Sequence, residues 1–459
     1  MDTHRYAVRE IAKEVRGFYE QKRPFRLYHG STYSTRAMHD PHAIVNTSDL
    51  NHILDINTAS KFVIVEPNVP MDQLLKETLK HRLMPPVVPA FPGTTVGGTF
   101  AGTAAGSSSF KHGFFDHAVT WMEIVLANGT ITTASRQRHP ELLAGIVGTL
   151  GTIGITTLFQ VQLVPATSNV DLRYIPVISM TEALDTMDAC IKENHIDFVE
   201  GLIYGEKAPS YGVIAVGKMT ANREHSATSF SSPGAPWFYE RALQIGNITE
   251  SIPIFEYVFR YDRGSFCMGR HCFGRIPLNN LTRRLTNSAT HSQNMEQTIQ
   301  SMHWADHFFI QDLVIPQEST PDMLRYLDES FGIYPLRLCP IRQWPETHAS
   351  IGMRGYTEDT ILNAAKFKEK NRDLERVVQE LGGMKWLYSR NYYTENEFWD
   401  IYPQLEYKTL RTKYDAQYLP SVYEKVKYAE KRTRAPKPKG FWNWVFRRTS
   451  VLAMKHGSE

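Results

Sequence analysis

Residues 92–107, Pro-Gly-Thr-Thr-Val-Gly-Gly-Thr-Phe-Ala-Gly-Thr-Ala-Ala-Gly-Ser, concentrate the residue types that can hold a phosphate. Main-chain N–H groups bind a pyrophosphate best where no Cβ atoms stand in the way. Gly93, Gly97, Gly98 and Gly102 permit that approach, and Thr94, Thr95 and Thr99 add hydroxyl donors. The run is no Walker loop, because no Gly-Lys-Ser/Thr follows it, and no Gly-x-Gly-x-x-Gly opens a helix after a strand. Two readings stand at this point: a phosphate cradle, or a flexible connector of small residues.

Further small-residue turns stand in order around this segment. They are His29-Gly30-Ser31-Thr32, then Gly113 and Asp116, then Asn128-Gly129, then Gly148 to Thr156. Regular elements must position them. Val8, Ile11, Ala12, Val15, Phe18 and Tyr19 recur at helical spacing and predict an N-terminal helix. The run from Pro24 reads as a short strand, and Ala43–Val45 and Phe62–Val65 as further strands. Pro70 suits the first turn of a helix continued by Met71, Leu74, Leu75, Thr78 and Leu79. Asn128-Gly129 between β-rich runs predicts a hairpin. Phe159, Val161 and Leu163 alternate with Gln160 and Gln162, as in a strand with one buried face. Such alternation of strands and helices gives a mixed α/β layer. After Pro165 glycine thins out and aromatic residues become denser, so a domain boundary falls near residue 168. Ser226–Pro236 reads as a surface loop. A long helix is predicted from about Thr360 to Leu381, ended by Gly382-Gly383.

With 459 residues, the chain is long enough for two domains, and a net charge of +3 is too mild to point to nucleic acid. Cys190, Cys267, Cys272 and Cys339 are scattered and complete no zinc signature, so they read as reduced, buried thiols. The opening MDTHRYAVREIAKEVRG lacks the apolar core of a signal peptide. No stretch reaches the roughly 20 apolar residues that span a bilayer.

The ordered set of loops resembles the PCMH-type FAD-binding domain of the vanillyl-alcohol oxidase-like superfamily. Thr95–Ser107 followed by Ser108-Ser-Phe-Lys-His-Gly-Phe-Phe-Asp-His narrows the likeness to the Delta-24-sterol reductase (diminuto/dwarf-1) family. It continues in Phe198-Val-Glu-Gly-Leu-Ile-Tyr, Pro236-Trp-Phe-Tyr, Gln311-Asp-Leu-Val-Ile-Pro and Tyr334-Pro-Leu-Arg-Leu-Cys-Pro. Leu387-Tyr-Ser-Arg-Asn-Tyr-Tyr-Thr-Glu-Asn-Glu-Phe-Trp, Tyr407-Lys-Thr-Leu-Arg and Val422-Tyr-Glu-Lys-Val extend it nearly to the end of the chain.

The resemblance implies an α+β fold. A PCMH-type FAD-binding domain of two α/β subdomains would occupy residues 1–167, an α+β substrate or cap domain 168–430, and a basic aromatic tail 431–459. FAD would be held by Gly30, Ser31, Thr32, Gly93, Thr94, Thr95, Val96, Gly97, Gly98, Gly102, Thr103, Ser107, Gly113, Asp116, Gly154 and Ile155. Covalent flavin in the superfamily often uses a His just after the Gly turn. Here His29 precedes Gly30 and Ser31 follows, so FAD is expected to be non-covalent. By the same resemblance NADPH reduces the flavin, which passes a hydride to a carbon–carbon double bond of a sterol-like lipophilic molecule, and an acid supplies the proton.

The segment Phe259-Arg-Tyr-Asp-Arg-Gly-Ser-Phe-Cys-Met-Gly-Arg keeps only part of the family's pattern. That leaves room for an FAD-dependent oxidase or dehydrogenase of a terpenoid or polyketide, or for a non-redox flavin-bound cyclase or ligand-binding scaffold. Tyr392 aligns with a family tyrosine and is a candidate proton donor, against a buried tyrosine with a satisfied hydroxyl. Arg263 is a candidate to balance flavin or NADPH charge, against a surface salt bridge. His112, His117 and Glu123 read as structural. Phe441–Arg448 combines indoles with arginines as a membrane interface does, against a disordered basic tail. The expected setting is cytoplasmic or peripheral on the endoplasmic reticulum membrane, and nothing in the sequence fixes an oligomeric state.

Overall fold

The computed structural model describes residues 2–29, 43–221, 228–272, 277–301, 308–343, 346–360 and 363–428. The architecture is α+β, built on two antiparallel sheets. The N-terminal helix Asp2–Glu20 buries Val8, Ile11, Val15 and Phe18, the stripe its spacing predicts. These side chains share a core with Val125, Ala127 and Ile155 of the first sheet, and with Ala416 and Leu419 from near the end of the chain. Beside this helix, Arg26–Tyr28 pairs in parallel with Ile44–Asn46.

The first sheet has five strands, ordered Ile53–Asn57, Phe62–Val65, Gly154–Gln162, Val119–Leu126 and Ile131–Ser135. The hairpin joining the last two turns at Asn128-Gly129, where Gly129 takes φ +81°. The helix Met71–Leu79 follows Phe62–Val65. Pro70 stands at its N-cap rather than inside its first turn, because the Pro70 carbonyl already accepts the Leu74 N–H.

The chain leaves this sheet after Gln162 and enters a second at Asn169. That sheet runs Thr249–Pro253, Asn169–Val177, Gly212–Thr220, Phe198–Ile203, Leu336–Gln343, Glu346–Gly355, Phe309–Pro316 and Met384–Lys385. Its two faces do different work, by the period-two rule of strands. Val199, Ile203, Leu338, Ile351, Leu313 and Ile315 point to one face and are covered by the helices Met180–Ile191, Thr320–Ser330 and Ala364–Glu380. Val170, Leu172, Phe198, Leu202, Val213 and Ala215 point the other way and join the core of the first sheet. The helix Ala364–Glu380 is capped by Asn363 and stops as expected, with Gly382 at φ +69° and the Gly383 N–H on the Val378 carbonyl.

Residues 404–428 return to the first sheet. The Tyr418 hydroxyl donates to the Ala127 carbonyl, Asn128 donates to Asp415, and the Tyr407 hydroxyl donates to Thr152. The four cysteines are free and buried. Among the described residues, no helix is long and apolar enough to cross a membrane.

Candidate functional site

The small-residue segment folds into a short helix, Val96–Ala101, whose N-terminal end is fixed by main-chain bonds. Thr94 O accepts from Met71 N, Val96 N donates to Val69 O, and Gly97 N donates to Pro67 O at 2.7 Å. Thr95 caps the helix by accepting the Gly98 N–H at 3.1 Å. Val96 and Phe100 face the core, where the Phe100 ring packs on Phe159. Gly97, Gly98 and Ala101 are left facing a cavity of about 820 Å3.

That cavity lies between the two sheets. Thr94 to Ala105, together with Gly151 and Gly154 to Thr156, form one wall, almost free of long side chains. Ile310, Asp312, Arg337, Ser350, Gly352 and Arg354 of the second sheet form the other. Phe91, Tyr261, Phe266, Phe308 and Trp386 add aromatic surface, while Arg26, Arg390, Lys425 and Lys427 gather positive charge. A second cavity of about 850 Å3 shares His29, Asn68 and Thr95 with it and is rimmed by Phe230, Phe255 and Phe259.

This arrangement fits a flavin dinucleotide. The wall offers main chain at close range, the cations suit a diphosphate, and the buried Thr99 hydroxyl on that wall has no hydrogen-bond partner within the protein. A buried hydroxyl without a partner costs about 1–3 kcal/mol, so a ligand acceptor there would satisfy it.

The residues expected from sequence fall into groups. Thr94, Thr95, Gly97, Gly98, Gly102, Gly154 and Ile155 line the large cavity; Gly93 and Thr95 line the second. Gly93 donates its N–H to Asp72. Val96 is buried beneath the wall. Thr103 adopts φ +51°, and its carbonyl accepts the Trp386 indole N–H at 3.0 Å. Ser107 lies deeper, its hydroxyl near Tyr257 and accepting from Arg260. Gly113, at φ +72°, makes room for the His117 ring. Burial pushes the neighbouring Asp116 carboxyl up, against the pull of His117. Gly30, Ser31 and Thr32 lie outside the described residues, as does the tail from 429 onward.

Arg263 lines the second cavity, and all three of its guanidinium nitrogens donate, to Asn287 and to the carbonyls of Phe230, Pro233 and Ala235. It thereby holds residues 230–235 of the loop that the sequence marked from Ser226 to Pro236, whose first two residues lie outside the described ones. Burial pushes its pKa down to about 10. The Tyr392 ring packs on Tyr428, 4.8 Å between centroids, and the Tyr392 main-chain N–H donates to Glu375. Glu123 accepts from Thr157 and joins His4 of the N-terminal helix.

Sequence reasoning missed the charged groups on the cavity face of the second sheet. Glu200 is fully buried and accepts from Arg260 (2.6 Å) and from Arg337 (3.2 Å). Asp312 stands 3.8 Å from Arg354. Burial raises the pKa of Asp312 and of Glu296, opposed by Arg354 in both cases and by Arg337 at Asp312. A signal was present: Glu200, Asp312 and Arg337 each interrupt an apolar strand, in Phe-Val-Glu-Gly-Leu-Ile, Gln-Asp-Leu-Val-Ile-Pro and Leu-Arg-Leu-Cys-Pro.

Comparison with known proteins agrees with this geometry. Residues 7–135 match the FAD binding domain family. The chain is similar to a Delta(24)-sterol reductase of Homo sapiens, with 28% identity covering 92% of this chain and 86% of that one. It is also similar to a Delta(24)-sterol reductase of Arabidopsis thaliana, with 28% identity over 85% of this chain and 77% of the other. A cytokinin dehydrogenase 1 of Arabidopsis thaliana is 34% identical over 133 residues, 28% of this chain and 23% of that protein.

Proposed function

We propose, from the premise that this chain is a homologue of the Delta(24)-sterol reductases along nearly its whole length and carries an FAD binding domain, that it is an FAD-dependent reductase of a carbon–carbon double bond in a sterol or similar lipophilic molecule. The observation that carries this reading is the cavity between the glycine-threonine wall and the second sheet. One side suits a dinucleotide, and the other offers aromatic surface for a hydrophobic substrate together with ionisable groups for proton transfer.

Bound FAD would supply the hydride chemistry. The chain's own part is threefold. Gly97, Gly98 and Gly102 open the main chain toward the cofactor, with the Thr99 hydroxyl beside them and Arg26, Arg390, Lys425 and Lys427 balancing its phosphates. Tyr261, Phe266 and Phe308 exclude water from an apolar substrate. The second cavity, with Phe230, Phe255 and Phe259 at its rim, provides a route inward for such a molecule. NADPH as the electron donor and a peripheral position on the endoplasmic reticulum membrane belong to the same proposal, supported by kinship alone.

The test is a visible spectrum of the purified protein, followed by anaerobic NADPH and then a Δ24-unsaturated sterol. Bound flavin that NADPH bleaches and the sterol re-oxidises, with saturated product formed, is the expected result. Flavin that stays oxidised with NADPH but is bleached by a lipophilic metabolite would make the protein an oxidase or dehydrogenase. Flavin that responds to neither would leave a non-redox scaffold. A colourless protein that takes up no FAD would overturn the reading.

A further inference from the structure

Reduction of an isolated double bond consumes one hydride and one proton, and an unactivated alkene accepts hydride poorly unless an acid acts with it. Resting on the reading above, the source of that proton can be sought on the walls of the cavity. The wall from Phe91 to Ala105 contains no titratable side chain. Opposite it stand Glu296, Asp312 and Tyr261, beside Arg337 and Arg354; His29, Tyr388 and Glu424 also line the cavity.

Asp312, Gly352 and Arg337 form a single rung across three adjacent strands, Asp312 pairing with Gly352 and Gly352 with Arg337. By strand alternation all three share the cavity face, while Gln311 and Leu313 turn toward the covering helices, as the Gln311–Asn371 bond and the buried Leu313 show. Gly352 leaves the space that the Asp312 carboxyl uses. A Cβ on Gly352 would stand 2.7 Å from Asp312 Oδ1. The rung is tied to the flavin-side wall through Trp386. Its N–H donates to the Asp312 carbonyl at 3.1 Å, and its indole donates to Thr103 O at 3.0 Å.

We propose that Asp312 is the proton donor of the reduction, its carboxyl aimed into the cavity by the gap at Gly352 and flanked by Arg337 and Arg354. Tyr261 and Glu296 are placed less well. The Tyr261 hydroxyl is sealed from solvent and lies near the buried Glu200 carboxylate, which together with burial makes it a very weak acid. Glu296 sits on the helix Ser292–Ser301 beyond Arg354, off the rung tied to Thr103. Asp312 keeps 18% of its side chain exposed. Burial raises its pKa, opposed by Arg354 and Arg337.

The balance is complete. The π bond of the alkene breaks, one carbon gains hydride from the reduced flavin, and the other gains the proton as the Asp312 O–H bond breaks. The carboxylate that remains is stabilised by Arg337 and Arg354 until solvent returns a proton. The groups facing it from neighbouring elements are those two arginines, Glu296 beside Arg354, and Cys339 on the strand of Arg337.

The test uses holoenzyme reduced anaerobically with dithionite, so that it does not depend on NADPH, and then mixed with a Δ24-unsaturated sterol. Asp312→Asn should take up FAD and be reduced as the wild type is, yet be re-oxidised by the sterol about a thousandfold more slowly, the size of a general acid's contribution. Asp312→Glu should recover part of that loss, and Glu296→Gln should not share it. Independently of turnover, an infrared difference spectrum of apoprotein, wild type minus Asp312→Asn, should show a protonated carboxyl at neutral pH. Should Asp312→Asn fail to fold, Gly352→Ala keeps the carboxyl but crowds it, and should slow the same step with FAD uptake intact. Wild-type rates in both Asp312→Asn and Gly352→Ala, or a carboxylate in place of the acid band, would overturn the assignment and leave the reductase reading standing. A wild-type protein whose reduced flavin no unsaturated sterol re-oxidises would remove that reading, and the role of Asp312 with it.

Discussion

Gly97 lies against Pro67 so closely that a Cβ on the glycine would stand 2.8 Å from the proline Cβ and 3.1 Å from its carbonyl oxygen. That oxygen also accepts the Gly97 N–H. The contact seats the glycine-threonine wall on the loop before the helix Met71–Leu79. Gly97→Ala should therefore push the wall outward, costing about 1–3 kcal/mol by overpacking and weakening FAD uptake. Thermal melts of the apoprotein and flavin titration would check both effects. Unchanged uptake would mean that the wall does not touch the cofactor.

Thr99 offers the opposite experiment. Its hydroxyl is buried and lacks a partner within the protein. Thr99→Val removes an unsatisfied group, so the apoprotein should be as stable as the wild type or more so. FAD affinity should fall several-fold, corresponding to about 1 kcal/mol for one lost hydrogen bond. A variant that gains stability and binds FAD normally would exclude Thr99 from the cofactor site.

The N-terminal helix is pinned by ionisable groups. His4 Nδ1 lies 2.7 Å from Glu66 and Nε2 lies 3.0 Å from Glu123. Burial opposes charging the imidazole, but the two carboxylates outweigh it and raise its pKa to about 9, above the ordinary 6.5. A raised histidine contributes stability in full below pH 6.5 and loses it as pH rises through about 9. Both glutamates have lowered pKa values: burial is outweighed by their hydrogen bonds, with His4 prominent among the partners. Their contribution is present above the ordinary 4.5 and lost as pH falls below it. The melting temperature of the wild type minus that of His4→Gln should be largest between pH 4.5 and 6.5 and shrink toward pH 9. A difference that does not vary from pH 6 to 10 would contradict this linkage.

Arg263 serves three loop carbonyls and one side-chain amide. Arg263→Met should cost on the order of 3 kcal/mol, because buried acceptors lose their donors. Arg263→Lys should rescue little, since an ammonium cannot reproduce the guanidinium fork. If both variants melt like the wild type but lose turnover, Arg263 acts on the ligand rather than on the loop.

Much of the molecule was legible in the sequence, because it depends on what residues do locally. Glycines at 97, 98 and 102 and the threonines beside them marked a stretch with little side chain, and it lines the large cavity. The stripe from Val8 to Phe18, the Asn128-Gly129 turn and the Gly382-Gly383 stop are set by helical period and backbone freedom, and the structure shows each of them. Other features depend on strand register and on which faces meet, which only the burial of the whole chain decides. The rung of Asp312, Gly352 and Arg337 joins three separate segments through pairing. Glu200 meets Arg260 and Arg337 across distances that no local pattern encodes. The return of Tyr407, Asp415 and Tyr418 to the first sheet is likewise a tertiary fact. One wall of the cavity was written in residue types, and the opposite one arose only when two sheets, each with an apolar face to bury, were brought together.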